Sequence, residues 1–215
     1  MAHLVAVNVG TPREVGFAGR TSRTAIAKEP VDGPVRAHRL GLDGDQVANT
    51  DVHGGFDQAV YAYASEDLDW WAGELGREIG PGVFGENLTT AGLDLNAAVV
   101  GTRWRVGGAL MEVASVRTPC NVFKGWMGDQ GYDDTQWVRR FTAALRPGPY
   151  LRVLEPGEVA ADAAIEVESV PEHGITVVDL FVALNLDRAR LPELAAIEDL
   201  AELPRRVMDD YLARG

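Results

Sequence analysis

The sequence predicts a mainly β protein, a Greek-key, barrel-like core over residues 1–170 followed by a small helical bundle over 171–215. Three observations predict it. Turn residues are dense: 24 Gly and 11 Pro in 215 residues, with no collagen-like period, leave room only for short strands. The segments between the turns are brief and rich in Val, Ala and Tyr, which suits strands of a sandwich or barrel better than those of a doubly wound sheet. Near residue 171 the apolar period then lengthens to that of a helix.

The elements follow in order. Leu4–Val9 is apolar on both faces, as a buried strand is. Glycines at 16, 19, 33, 41, 44, 54 and 55, with Pro30 and Pro34, break the next fifty residues into short strands at 24–28, 35–39 and 58–64. Leu68, Trp71, Ala72 and Leu75 set a helix over 66–76, with Ser65 as N-cap and Gly76 as stop. Strands are expected at 97–101, 103–107 and 109–117, the last two joined at Gly107-Gly108. A helix over 134–146 stacks Trp137, Phe141 and Leu145, and strands return at 150–155 and 163–170. Beyond them, Thr176 with Asp179 forms a capping-box pattern ahead of the stripe Val177, Leu180, Phe181, Leu184. Pro192 and Pro204 are placed to open helices near 192–201 and 204–213.

Composition narrows the function. With 20 basic and 32 acidic side chains the formal charge is −12, against the basic stripe that nucleic acid requires. The single cysteine, Cys120, allows neither an intramolecular disulfide nor a multi-cysteine zinc site. The N-terminus carries no secretory pattern and no apolar run reaches membrane-spanning length, so a cytoplasmic protein without a membrane partner is expected. There is no G-x-S-x-G and no P-loop. The formal G-x-G-x-x-G at Gly80–Gly85 follows a helix instead of a strand, so it fails as a dinucleotide fingerprint.

Three segments carry chemistry. In Arg117-Thr118-Pro119-Cys120, Pro119 stops a strand and leaves the thiol at a strand-to-loop corner, open to the pocket. A thiol beside Arg117 suits a nucleophile or metal ligand; a small buried hydrophobe is the alternative. In Asp51-Val52-His53-Gly54-Gly55, two glycines after a histidine can turn backbone amides toward an anion, or make a plain turn. Gly82-Val83-Phe84-Gly85-Glu86-Asn87-Leu88 could be a ligand-facing loop, with Asn87 supplying donor and acceptor, or a strand-entry turn.

Taken in order, these segments resemble the MOSC domain, the C-terminal domain of molybdenum cofactor sulfurases, in its stand-alone YiiM-like bacterial form. The resemblance runs through Lys28-Glu29-Pro30-Val31, Gly41-Leu42-Asp43-Gly44-Asp45, His53-Gly54-Gly55, Ala59-Val60-Tyr61-Ala62-Tyr63, Pro81–Leu88, Arg117–Cys120 and Tyr150-Leu151-Arg152-Val153-Leu154. It implies the family's barrel-like fold with a three-helix extension. It implies molybdenum cofactor (molybdopterin), with Cys120 as molybdenum ligand and catalytic residue or as persulfide carrier. Lys28, His53, Gly54, Gly55, Asn87 and Arg117 are then expected to line one cofactor pocket with Cys120. The implied activity is reduction of N-hydroxylated compounds such as 6-N-hydroxylaminopurine. Electrons would come from a separate reductase, since the chain has no Rossmann fingerprint and no cluster cysteines. Two other readings stay open, a non-catalytic carrier of sulfur or cofactor and a domain retaining only the fold, and either a monomer or a homodimer is allowed.

Overall fold

The computed structural model describes residues 1–17, 20–49 and 54–214. Short apolar segments separated by glycine turns become β1 (His3–Val9), β2 (Arg13–Phe17), β3 (Arg20–Thr24), β4 (Glu29–Pro30), β5 (Val35–His38), β6 (Gly41–Leu42) and β7 (Val60–Ala64). Helix α1 (Ser65–Leu75) follows, stopped by Gly76 in the left-handed conformation. Then come β8 (Leu88–Ala91), β9 (Arg103–Val106), β10 (Ala109–Val116), α2 (Asn121–Asp129), α3 (Trp137–Ala144), β11 (Pro149–Glu155), β12 (Gly157–Val159) and β13 (Ile165–Ser169). The chain ends in α4 (Val177–Asn185), 3-10 turns over Arg188–Ala196 and α5 (Glu202–Leu212).

Eight strands form the main sheet in the order β13-β9-β10-β11-β7-β8-β1-β4. All pair antiparallel except β7 and β8, which lie parallel because α1 carries the chain across between them. The sheet curls back on itself. Leu4 donates its amide to the Ala163 carbonyl at 2.9 Å, and Ile165 to that of Ala2 at 3.0 Å, so the start of β13 returns to β1. This is the barrel-like, mainly β core that the composition predicts. A smaller sheet, β12-β5-β6, and the β2–β3 hairpin complete it.

β7 and β10 are buried along their whole length, as their near-continuous apolar sequences require. On one side of the sheet the helices meet in an aromatic cluster. Trp71 of α1 contacts Trp137 of α3 at 4.8 Å between ring centroids, and Phe84 contacts Phe123 of α2 at 5.2 Å. Phe123 in turn meets Phe141 edge-on at 5.3 Å. This cluster fixes α2, and with it the corner at Cys120.

Several expectations are corrected. The strand expected at 24–28 lies at Arg20–Thr24; Ile26–Lys28 is irregular because the 82–85 turn packs on its backbone. The strand at 97–101 reduces to a bridge between Val99 and Thr176. Ser65 is the first residue of α1 and not its cap. The helix expected at 134–146 begins only at Trp137, after Gln136 in a left-handed conformation, and Leu145 ends it in the same way. Pro192 lies inside the 3-10 turns and does not open a helix.

The described residues past Ser169 add no strand to the main sheet. Their apolar stripe still joins the core: Val177, Leu180 and Phe181 are fully buried in it. The capping box forms as expected, with Thr176 Oγ1 accepting from the Asp179 amide at 3.1 Å and Asp179 Oδ2 accepting from the Thr176 amide at 2.9 Å. Thr176→Ala should therefore cost about 1 kcal/mol, read as a lower urea midpoint with an unchanged slope.

Candidate active site

β10 ends at Val116, and the next residue turns its side chain inward. The Arg117 guanidinium is only 8% exposed. It donates from Nη1 to the Phe84 carbonyl at 2.8 Å and lies over the rings of Phe123 at 4.2 Å and Tyr61 at 4.9 Å. Among the described residues no carboxylate reaches ion-pair distance of it. Burial opposes its charge, while the surrounding Tyr61, Tyr150, Cys120 and Glu86 favour it and set the net direction upward.

Three residues later Cys120 is the N-cap of α2, in extended conformation, with Sγ accepting from the Phe123 amide at 3.4 Å. The corner thus leads directly into a helix, where a loop is expected from sequence. Cys120 is half-buried and packs against the core. Phe123 joins the two residues: its amide touches the sulfur and its ring carries the guanidinium.

Lys28 and Asn87 form a second pair, through Asp45. Asp45 Oδ1 accepts from Lys28 Nζ and from the Gly10 amide at 2.8 Å. Its Oδ2 accepts from Asn87 Nδ2 at 2.9 Å. Asn87 also donates to the Asn8 carbonyl at 3.3 Å and accepts the Tyr61 amide at 3.1 Å, so its amide group is spent on three segments of the protein. Burial holds the Lys28 ammonium below its usual range against the opposing pull of Asp45, and the Arg117 cation lowers it further.

The Gly82–Asn87 turn connects the pairs. Arg117 grips its Phe84 carbonyl, and Gly82, at φ +82°, leaves so little room that a Cβ would overlap the Lys28 carbonyl oxygen. Gly54 and Gly55 also have positive φ. They lead into a 3-10 turn at Phe56–Gln58, and Gly54 sits against Val47, two residues beyond Asp45. His53 lies outside the described residues.

Two carboxylates of this region escape a search for acid–base pairs, because each sits inside a glycine-flanked turn. Asp45 is one. Glu86 is the other, and it is fully buried. Its Oε1 accepts from the Gly82 amide at 2.6 Å and from Thr89 Oγ1 at 2.9 Å, while Oε2 has no partner among the described residues. Desolvation outweighs these bonds and the distant Arg117, and pushes its carboxyl up to about 7.

The raised value means that between pH 4.5 and 7 the folded protein holds a proton that the unfolded chain has released. Stability attributable to Glu86 therefore falls as pH rises through that window, by roughly 3 kcal/mol in all. Glu86→Gln, which keeps the shape and places a neutral group at the Oε2 position, should be the more stable protein at pH 8. The difference should vanish near pH 4. Denaturant unfolding of both proteins across that range measures it.

The MOSC domain profile matches residues 49–166. The uncharacterized protein YflK of Bacillus subtilis is 33% identical over 174 residues, covering 81% of this chain and 76% of its own. Protein YiiM of Escherichia coli is 35% identical over 150 residues, covering 68% of this chain and 64% of its own. The YiiM crystal structure superposes over 100% of this chain and 94% of its own with a TM-score of 0.75 and 26% identity. A Gibberella moniliformis protein named Reductase is 26% identical over 208 residues; the chain covers 35% of it, about a third of its length. The chain belongs to the MOSC domain family.

Proposed function

We propose that this protein is a molybdenum-cofactor-dependent enzyme that reduces N-hydroxylated compounds such as 6-N-hydroxylaminopurine with electrons from a separate reductase. The observation that carries the proposal is Arg117, a buried cation without a carboxylate partner, one turn of chain from a half-open thiol. A buried charge costs several kcal/mol unless something compensates it. Two aromatic faces, one carbonyl and the field of Tyr61, Tyr150, Cys120 and Glu86 hold the charge, but only Nη1 has a hydrogen-bond partner among the described residues, so an anionic group is the expected complement of the remaining N–H donors. A pyranopterin phosphate is such a group, and the name of the fungal relative supports a reductive role.

In this reading the bound cofactor supplies a two-electron redox centre. The protein supplies the rest. Cys120, the chain's one cysteine, would hold the molybdenum. Arg117 would form the charge-assisted bonds to phosphate, with Lys28, whose direction Asp45 fixes, as a second cation. The overall change breaks the substrate N–O bond, consumes two electrons and two protons, and releases the amine and water.

Protein purified under native conditions should contain near-stoichiometric molybdenum and pterin, and should turn over 6-N-hydroxylaminopurine with an artificial electron donor. Cys120→Ser should abolish turnover while shifting stability by less than about 1 kcal/mol, because serine also caps a helix. Persulfide on Cys120 with neither molybdenum nor turnover would establish a sulfur carrier in place of the enzyme. Full activity in the serine variant would remove the thiol from the mechanism.

A further inference from the structure

A cavity of about 300 Å³ lies between the sheet and the C-terminal segment, away from Cys120. Its floor is a row of charged side chains across three neighbouring strands: Arg103 on β9 faces Glu112 on β10, which faces Arg152 on β11. Glu112 accepts from Arg103 Nε and from Arg152 Nη1, each at 3.0 Å. Arg152 also donates from Nε to Asp57 at 2.7 Å, and Asp57 accepts the Glu202 amide at the start of α5 at 2.8 Å. Arg152 and Glu112 are 8% and 5% exposed. The walls are Phe56, Leu154 and Leu200, with Asp199 and Arg205 completing the lining.

A row of this kind is poor value as a stabilising device, since apolar residues of similar volume in such a place are often as good or better. What it offers is unspent hydrogen-bond donors. Arg103 commits Nε alone to Glu112, and Arg205 commits one nitrogen to the Glu198 carbonyl at 3.0 Å. Their remaining N–H groups stand beside three apolar walls in a space of small-molecule size. From this we infer that the cavity is a binding site for a small organic carboxylate, its charged end on Arg103 and Arg205 and its apolar body on Phe56, Leu154 and Leu200. The site is separate from the proposed redox chemistry in its residues, although both draw on β11: Tyr150 flanks Arg117, while Arg152 and Leu154 line the cavity.

The test uses the full chain labelled at leucine methyls, titrated with benzoate and followed by NMR. Saturable shifts at Leu154 and Leu200 are expected. Arg205 is exposed, so Arg205→Gln should fold normally and weaken binding about tenfold or more, the loss expected of one charge-assisted bond. Benzamide, uncharged and of the same shape, should bind as weakly. Cys120→Ser should leave benzoate binding unchanged, which separates this site from the reductase reading. Shifts equally strong with benzamide would replace the carboxylate site with an apolar one. Inorganic phosphate producing the same shifts would reduce it to a general anion site, and no saturable shift with benzoate would overturn it.

Discussion

Asp45 is the point through which the site is built. One carboxylate takes the Lys28 ammonium, the Gly10 amide and the Asn87 side chain, which arrive from three separate parts of the chain. Asn87 extends the clasp to the Asn8 carbonyl on β1 and the Tyr61 amide on β7. The parallel β7–β8 pair and the adjacent β1 are therefore locked, at the end where the chain enters β7 and β8 and leaves β1, by a hydrogen-bonded side-chain pair and not by ladder bonds alone. Each partner is buried or nearly so, and losing one would strand the others without water to replace it. The 82–87 turn has no freedom to move away from Arg117 while that clasp holds.

The aromatic cluster makes the complementary constraint on the other side. Phe84 stands inside the turn and contacts Tyr63, Trp71, Phe123, Trp137 and Phe141 within 6.4 Å. Its carbonyl, facing the opposite way, accepts from Arg117. Trp126 adds a bond from its indole N–H to the Val83 carbonyl at 2.7 Å. So α2, which presents Cys120, and the turn, which holds Arg117, are fastened to one another both by ring packing and through backbone carbonyls. The thiol and the guanidinium are thereby kept adjacent, and each also holds the structure, Sγ as the cap of α2 and Nη1 as the donor to the Phe84 carbonyl.

How much of this was legible in the sequence follows from the range of each interaction. Local patterns were readable: the Gly107-Gly108 hairpin, the Gly76 stop and the Thr176–Asp179 box all rest on residues within a few positions of each other. Arg117 and Cys120 were readable as chemistry because of Pro119 and the family resemblance. Helix α2 was missed although Phe123, Trp126 and Met127 carry its apolar stripe, because Gly125 and Gly128 weaken the helical reading and a cysteine is an unusual cap. β8 was missed because Leu88–Ala91 is too short to alternate visibly. Asp45 is legible only as the end of the Gly41–Asp45 motif; its partners lie 17, 35 and 42 residues away, and no local spacing reports them. Glu86 hid for a different reason. A glutamate between glycine and asparagine reads as solvated turn, and only the tertiary structure shows it sealed under Thr89 and Gly82.

The buried cations now separate by how fully each is compensated. Arg152 is held by two carboxylates, Asp57 and Glu112, and with that much charge returned to it has little to give a ligand. Lys28 has one carboxylate, which leaves it oriented but partly spent. Arg117 has none within ion-pair reach among the described residues. Its charge is held by two aromatic faces, by the Phe84 carbonyl and by the field of Tyr61, Tyr150, Cys120 and Glu86. In a chain of net charge −12 there is no general shortage of carboxylates to pair with an arginine. Their absence from ion-pair reach of Arg117 among the described residues, beside the only thiol, is the feature on which the proposed anion site rests.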